Sequence, residues 1–511
     1  MELCGHVVRW CLAHQVREVV LCAGARNLAL VSTWCAIPGV RRWNFPEERS
    51  AAFFALGRAR ATGKPVAVVV TSGTAVAELL PAAIEAYYQG LPLVLITADR
   101  PSRFRGTGAP QSIDQVGLFG NHAVAIVDAE AGGLWQPTAW DQSGPAHLNV
   151  CFDEPVLDAP VAMEECLGEN PAPTHLNPPA PYVWDDFGAF GNLLVMVGSL
   201  DAQDQPDVLA FLLKIRAPMW IQADSGLWGR PELEDFVVRQ PELLLNSGLS
   251  HVLRLGGVPC ARIWRDLESR PDIQVRSISR QGWSGLGRNC ENWKIPLDAL
   301  AGWQPEDYSR KSSHPTDQVL LHAAQAPSVA AMPSNVPCSE EAWFTWLSSH
   351  IPDQATVFLG NSLPIREWQS AATWRAGLEI FANRGANGID GEISTFLGLA
   401  ESAVGEAWGI FGDLTTVYDL AAPWVITQMR GLPVRIVIIN NGGGKIFAAL
   451  PSMAKARPDV RTIIQNGHAL GFAGWAQLWE LPYRIVTSPD DLCHLPPHPI
   501  VLEIVPKNSD G

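Results

Sequence analysis

An α/β architecture of three doubly wound parallel-sheet domains is predicted by three features of the sequence. Short β-branched apolar runs recur along the chain and alternate with longer amphipathic or Ala-rich stretches, the pattern of strands buried on both faces and joined by helices. Two Pro-containing passages break that rhythm into three parts. The length of 511 residues is ample for several domains, each with its own core.

The N-terminal stretch MELCGHVVRWCLAHQVREVV mixes Arg, His and Glu into a helix-like pattern, with no clean apolar core or small-residue cleavage site of a secretory signal. A cytoplasmic location is therefore expected. First-domain strands are expected at VVLCAG (19–24), VAVVVT (66–71), PLVLITA (92–98) and AVAIVD (123–128), with an Ala-rich helix following Glu47-Glu48-Arg49. The passage 154–184 holds seven prolines and can continue neither a helix nor a central strand, so it reads as a linker. The rhythm resumes with LLVMVGS (193–199), MWIQAD (219–224), HVLRLG (251–256) and QVRSIS (274–279), up to a second boundary within 305–338. Strands TVFLGN (356–361), EIFANR (379–384), AWGIFGD (407–413), VRIVIINN (434–441) and PIVLEIV (499–505) make the last domain. The expected domains are residues 1–170, 183–305 and 338–511.

Composition narrows the function classes. With 47% apolar and 17% charged residues the chain lacks the signature of disorder, and a formal charge of −15 argues against a nucleic-acid partner. No apolar run approaches the ~18 residues of a membrane span. Ten cysteines without a CxxC pair suit reduced, mostly buried thiols better than a disulfide framework or a zinc site.

In doubly wound sheets ligands bind beyond the carboxyl ends of the strands, so the residues there carry the functional argument. AWGIFGD ends in Gly412-Asp413, and after 26 intervening residues the next apolar strand ends in Asn440-Asn441-Gly442-Gly443-Gly444. Asp and Asn side chains with a backbone carbonyl are hard oxygen ligands of the kind Mg²⁺ prefers, and glycines let backbone approach phosphate. Each fragment alone is also a common turn. A second strand exit carries Glu47 and Glu48, which would also suit a helix N-terminus by charge alone. No strand opens into a well-placed GxGxxG with a following acidic residue, which disfavours a flavin or nicotinamide site.

The GD-x26-NN spacing resembles the diphosphate motif of thiamine-diphosphate-dependent enzymes. That resemblance implies the thiamine-diphosphate-binding fold, thiamine diphosphate and Mg²⁺ or Mn²⁺ as cofactors, and Asp413, Asn441 and the Gly443 carbonyl as metal ligands, with Gly412 and Leu414 beside the cofactor. It gives Glu48 the catalytic role of hydrogen-bonding the cofactor's aminopyrimidine ring, which then removes the thiazolium proton. Further stretches, TADRPSRFRGTGAPQSIDQVGLFG (97–120), GPAHLNV (144–150), GNSLPIREW (360–368), NRGANGIDGEIST (383–395) and GDLTTVYDL (412–420), resemble the carboligating synthases of menaquinone biosynthesis. The resemblance spans nearly the whole chain and is weakest in the middle domain. It implies decarboxylation of 2-oxoglutarate, addition of the succinyl unit to isochorismate, and a homodimer or tetramer with active sites shared between subunits.

Both substrates are dianions, and the Arg fork matches carboxylate geometry, so several arginines are expected to converge on the site. The resemblance points to Arg26, Arg100, Arg366 and Arg384, with Gln111 and Ser362 as polar partners and Arg262 in the middle domain. It sets Ile389 under the thiazolium as the wedge that bends the cofactor. Asn361 and Ser362 would lie near diphosphate or substrate, or simply cap the next helix. Two departures stand out. Cys22-Ala23-Gly24-Ala25-Arg26-Asn27 lacks the serines common in this loop, so a hydroxyl contact is missing at Ala25; Gly442 replaces a usual Asp or Asn and is expected to loosen its loop. An acetolactate-synthase-like carboligase and a catalytically degraded relative are the competing readings. A pyruvate site would need fewer cations, and retention of Glu48, Asp413 and Asn441 weighs against degradation.

Overall fold

Parallel pairing runs through all three sheets of the computed structural model, which describes residues 2–130, 132–133, 135–153, 192–303 and 339–506. The two expected linker passages, 154–184 and 305–338, lie outside the described residues. In the first sheet the strands are β1 (Glu18–Leu21), β2 (Arg41–Asn44), β3 (Val66–Val70), β4 (Leu93–Asp99), β5 (Ala125–Glu130) and β6 (Ala146–Cys151), in the order β2-β1-β3-β4-β6-β5. The second comprises β7 (Leu193–Val197), β8 (Met219–Ile221), β9 (His251–Leu255), β10 (Gln274–Ser279) and β11 (Glu291–Lys294), in the order β11-β10-β9-β7-β8. The third comprises β12 (Thr356–Leu359), β13 (Glu379–Phe381), β14 (Ala407–Gly412), β15 (Val434–Ile439), β16 (Tyr483–Val486) and β17 (Ile500–Ile504), in the order β13-β12-β14-β15-β17-β16.

The central strands are the β-branched runs, fully buried along their length in β3, β7 and β15. Four strands were not expected from the sequence. β2, β11 and β16 are edges, where only part of each strand meets the core. β6 is interior, yet its alternate residues His147 and Asn149 are polar and buried in a hydrogen-bonded network with Thr97 and Gln115. The strand expected at 123–128 runs from 125 to 130 on the opposite edge, with alternating exposure.

First and third domains share one apolar core, in which Phe53 and Phe54 join Phe396, Leu397 and Phe411. The contact is a close crossing of helices Glu48–Thr62 and Glu392–Ala400. A Cβ on Gly57 would sit 2.1 Å from the Thr395 carbonyl oxygen, and one on Gly398 2.3 Å from that of Phe54, so glycine at both positions sets the approach. Beside the crossing, buried Arg58 pairs with Glu18 at 2.6 Å and donates to the Gly398 carbonyl at 3.0 Å. This crossing orients the N-terminus of the first helix, which carries Glu48.

Candidate active site

Glu47 and Glu48 divide the roles that the sequence left open. Glu47 is the N-cap: its carboxylate accepts the N–H groups of Arg49 (3.1 Å) and Ser50 (2.8 Å). Glu48 is thereby left out of the cap and faces a cavity of about 530 Å³, lined also by Thr71, Thr74, Glu78 and Gln111. Burial, with lesser pushes from Glu47 and Glu78, raises its pKa above the ordinary carboxyl value against the opposing effect of its own backbone N–H. The wall opposite is tight. Gly73 has φ +81°, and a Cβ there would lie 3.3 Å from Gln111 Cα, so the β3 exit can pass under Gln111 only as glycine. Arg100 donates through Nε to the Pro110 carbonyl (2.8 Å), next to Gln111, and Arg26 donates to the carbonyls of Phe152 (3.1 Å) and Asp153.

The diphosphate motif assembles at the exits of β14 and β15, which are adjacent and in register. Asp413, 2% exposed, accepts Leu414 N–H through Oδ1 (2.6 Å) and the N–H groups of Gly442 and Gly443 through Oδ2 (2.8 Å each). At Gly442 the φ of +78° is unstrained for glycine, and its N–H is held by Asp413. Asn441 donates through Nδ2 to Glu340 (3.0 Å), which leaves its Oδ1 buried with no partner. A buried orphan acceptor beside a carboxylate fits an oxygen-ligated divalent cation. His468 Nε2 stands 3.4 Å from Asp413 Oδ2, and the Gly443 carbonyl accepts Lys445 N–H at 2.8 Å while keeping a second lone pair. Burial raises the pKa of Glu340, against its bond from Asn441 and helped by Asp413 and Glu341. Among the described residues no group of three or more His, Cys, Asp or Glu is arranged to hold a metal.

A third group surrounds the β12 exit. Buried Asn361 donates through Nδ2 to the carbonyls of Asn383 (2.8 Å) and Gly388 (2.7 Å), and its Oδ1 accepts Arg384 Nη1 (2.7 Å). Neither Asn361 nor Ser362 caps the following helix, so that alternative falls; Ser362 instead holds the left-handed φ of +68°. Arg366 donates to the Ser362 carbonyl. Burial lowers its pKa, with the charge of Arg384 adding to the effect, while Cys260 opposes it. Ile389 is half-buried on the loop that leads into helix Glu392–Ala400.

Arg262 departs from the expectation. The β9 exit does bring Cys260 near Arg366 and Arg384, but Arg262, two residues on, turns outward to Asp266 at 3.4 Å with 64% of its side chain exposed. By contrast Arg26, Arg100, Arg366 and Arg384 have no carboxylate within ion-pair distance among the described residues; their side chains bond to carbonyls and one amide, and that of Arg100 also lies over the Phe104 ring at 5.5 Å. Glu48 and Gln111 share one cavity, and Arg100 adjoins it through Pro110, whereas Arg366, Arg384, Asp413 and Asn441 sit on the third sheet. The lining of Glu48's cavity includes no third-domain residue. A larger cleft of about 1480 Å³ where the domains meet contains Arg384 but neither Glu48 nor Asp413.

Sequence reasoning missed Glu340, which orients Asn441, and Asp419, which is fully buried and accepts from Ser50 Oγ (3.1 Å) and from Ser394 N–H (2.7 Å). Asp419 is the second Asp of the GDLTTVYDL stretch, so its proximity to Asp413 in the chain was a usable signal; Glu340 offered none.

Residues 1–118 match the family model described as "Thiamine pyrophosphate enzyme, N-terminal TPP binding domain". Together with three parallel α/β sheets, this makes the chain a thiamine-diphosphate-dependent enzyme. It is 39% identical over 505 residues to the 2-succinyl-5-enolpyruvyl-6-hydroxy-3-cyclohexene-1-carboxylate synthase of Bdellovibrio bacteriovorus, covering 96% of this chain and 93% of that one. The synthases of the same name from Akkermansia muciniphila (38% identity, 95% of this chain and 91% of the relative) and Chloroflexus aurantiacus (32%, 93% and 87%) are similar throughout as well. The chain belongs to this synthase family and has its synthase activity.

Proposed function

We propose that the chain decarboxylates 2-oxoglutarate and transfers the succinyl unit to isochorismate with release of CO2, in menaquinone biosynthesis, using Mg²⁺ or Mn²⁺ beside thiamine diphosphate. The observation that carries the substrate assignment is that Arg26, Arg100, Arg366 and Arg384, all near strand exits, have no carboxylate partner among the described residues. Arg58, Arg105, Arg280 and Arg435 instead face Asp or Glu, although Arg239, Arg254, Arg288 and Arg484, elsewhere in the chain, also bond only to carbonyls. Four unneutralised guanidiniums match the four carboxylates of two dianionic substrates, each charge-assisted bond contributing about 1.5–3 kcal/mol. Arg26, Arg100 and Gln111 would serve one end of the site; Ser362, Arg366 and Arg384 the other.

When bound, thiamine diphosphate supplies the carbanion equivalent and, through its aminopyrimidine, the base. Asp413, Asn441 Oδ1 and the Gly443 carbonyl would hold the cation, with Gly412 and Leu414 alongside and Ile389 beneath the cofactor. Glu48, free of the helix cap and with its pKa raised by burial, would hydrogen-bond a ring nitrogen of the cofactor. Because Glu48's cavity contains no third-domain residue, the active site is assigned to the junction of two subunits in a homodimer or larger oligomer. Exposed apolar side chains support that arrangement: Tyr418 (52%), Leu420 and Trp424 are exposed, and Arg49, next to Glu48, donates to the Tyr418 carbonyl at 2.8 Å. Among the described residues no helix is long and apolar enough to cross a membrane, and a cytoplasmic setting is part of the proposal.

The test supplies purified protein with thiamine diphosphate, Mg²⁺ and 2-oxoglutarate, and follows CO2 release and product formation with and without isochorismate. Product only when both substrates are present supports the assignment. Faster CO2 release from pyruvate than from 2-oxoglutarate would transfer the chain to the acetolactate-synthase-like class.

A further inference from the structure

Outside the groups already assigned, one carboxylate is buried where a first-domain helix meets a third-domain loop. Glu85, on helix Leu80–Gln89, is 3% exposed, and its two oxygens accept consecutive N–H groups, Gly385 at 2.7 Å and Ala386 at 2.6 Å. Gln89, one turn further on, donates to the same carboxylate and accepts from Arg60 at 3.2 Å, and Arg60 also donates to the Ala382 carbonyl at the start of the loop. The approach is close: a Cβ on Gly385 would sit 2.5 Å from the Glu85 carbonyl oxygen. From the opposite side Asn361 holds the Asn383 and Gly388 carbonyls.

Between these two grips lies Arg384. One of its terminal nitrogens is occupied by Asn361 Oδ1, while its Nε is buried without a partner. Burying a carboxylate is costly, and two backbone N–H donors offset that cost only if the loop keeps its conformation. A buried charge is an expensive way to make a domain contact, and an effective way to fix a loop's backbone next to a residue whose direction matters.

We infer that Glu85 is a positioning residue that fixes the 383–388 loop so that Arg384 presents its guanidinium to a substrate carboxylate. The inference rests on the reading of Arg384 as substrate-binding. Its test compares Glu85→Gln, Arg384→Ala and the double variant in the full-length enzyme with thiamine diphosphate and Mg²⁺. The measurements are KM for each substrate, cofactor affinity, and amide exchange of the loop. Glu85→Gln should raise KM for the same substrate as Arg384→Ala, by roughly 10–100-fold, with faster exchange across 382–388 and unchanged cofactor affinity. The double variant should be no worse than Arg384→Ala alone. Additive effects on KM, or loop exchange identical to wild type, would overturn the inference. Faster exchange together with an Arg384→Ala variant of normal KM would overturn it too, and would trace the failure to the role of Arg384 rather than to the clamp. If Glu85→Gln does not fold, Glu85→Asp, one methylene shorter, is judged by the same criteria.

Discussion

Glu47 and Glu48 are neighbours of the same chemistry with different work, and the difference comes from the cap alone. Since Glu47 satisfies the Arg49 and Ser50 amides, Glu48→Gln should leave the melting temperature close to wild type while lowering kcat by roughly 10²–10⁴-fold. Near-normal turnover by steady-state assay would remove Glu48 from proton transfer. Glu367 allows a pH prediction. Burial, with Glu340 and Glu341 adding to it, raises its pKa from 4.5 to about 8. Between these values the unfolded chain has released a proton that the folded protein still binds, so this group's contribution to stability falls as pH rises through that window. Glu367→Gln should flatten thermal stability across it and exceed wild type above it; parallel melting curves for the two proteins at every pH would refute the assignment. At this scale the sequence singled out Asp413 and Asn441 because residue type and position at a strand exit were enough to mark them as candidates. It was silent where a partner is distant in the chain, as for Glu340, and it misdirected for Arg262, whose backbone lies near the site while its side chain pairs with Asp266.

Elements were legible in proportion to how completely they are buried. VAVVV, LLVMV and VRIVII announce themselves because both faces meet apolar neighbours; RRWN and ENWK, at the sheet edges, need only one apolar contact and look like loops. β6 was hidden for another reason. Its His147 and Asn149 belong to a buried hydrogen-bonded network, and burial pushes the His147 pKa down to about 4, so a polar sequence sits in a dry place. The crossing of helices Glu48–Thr62 and Glu392–Ala400 was equally invisible, since a glycine inside a helix signals weakness until its neighbour is known. Gly57→Ala should gain helix propensity yet destabilise by about 1–3 kcal/mol, because the added Cβ meets a carbonyl of the facing helix rather than a movable side chain. Chemical denaturation measures the sign, and an unchanged or raised midpoint would show that the crossing has slack.

For the whole molecule, the formal charge of −15 and the arginines of the site are compatible because screening over roughly 8 Å separates a diffuse surface charge from a pocket. The arrangement of that pocket is the larger question. Within one chain Glu48's cavity is lined without the β14 and β15 exits, although first and third domains share a core; on the proposed reading, the domains that touch inside a subunit are not the pair that completes a site. A two-fold partner supplies the missing half if its third domain covers Glu48 and the apolar surface around Tyr418 and Trp424. Subunit mixing discriminates between the two geometries. Glu48→Gln and Asp413→Ala should each be nearly inactive alone. If sites form between subunits, random re-pairing places both substitutions in one site of each mixed dimer and leaves the other intact, so roughly a quarter of wild-type activity should return on mixing. If each chain carries a whole site, every chain in the mixture is defective and activity should stay at the level of the separate variants. The assay needs only dissociation, re-pairing and a rate.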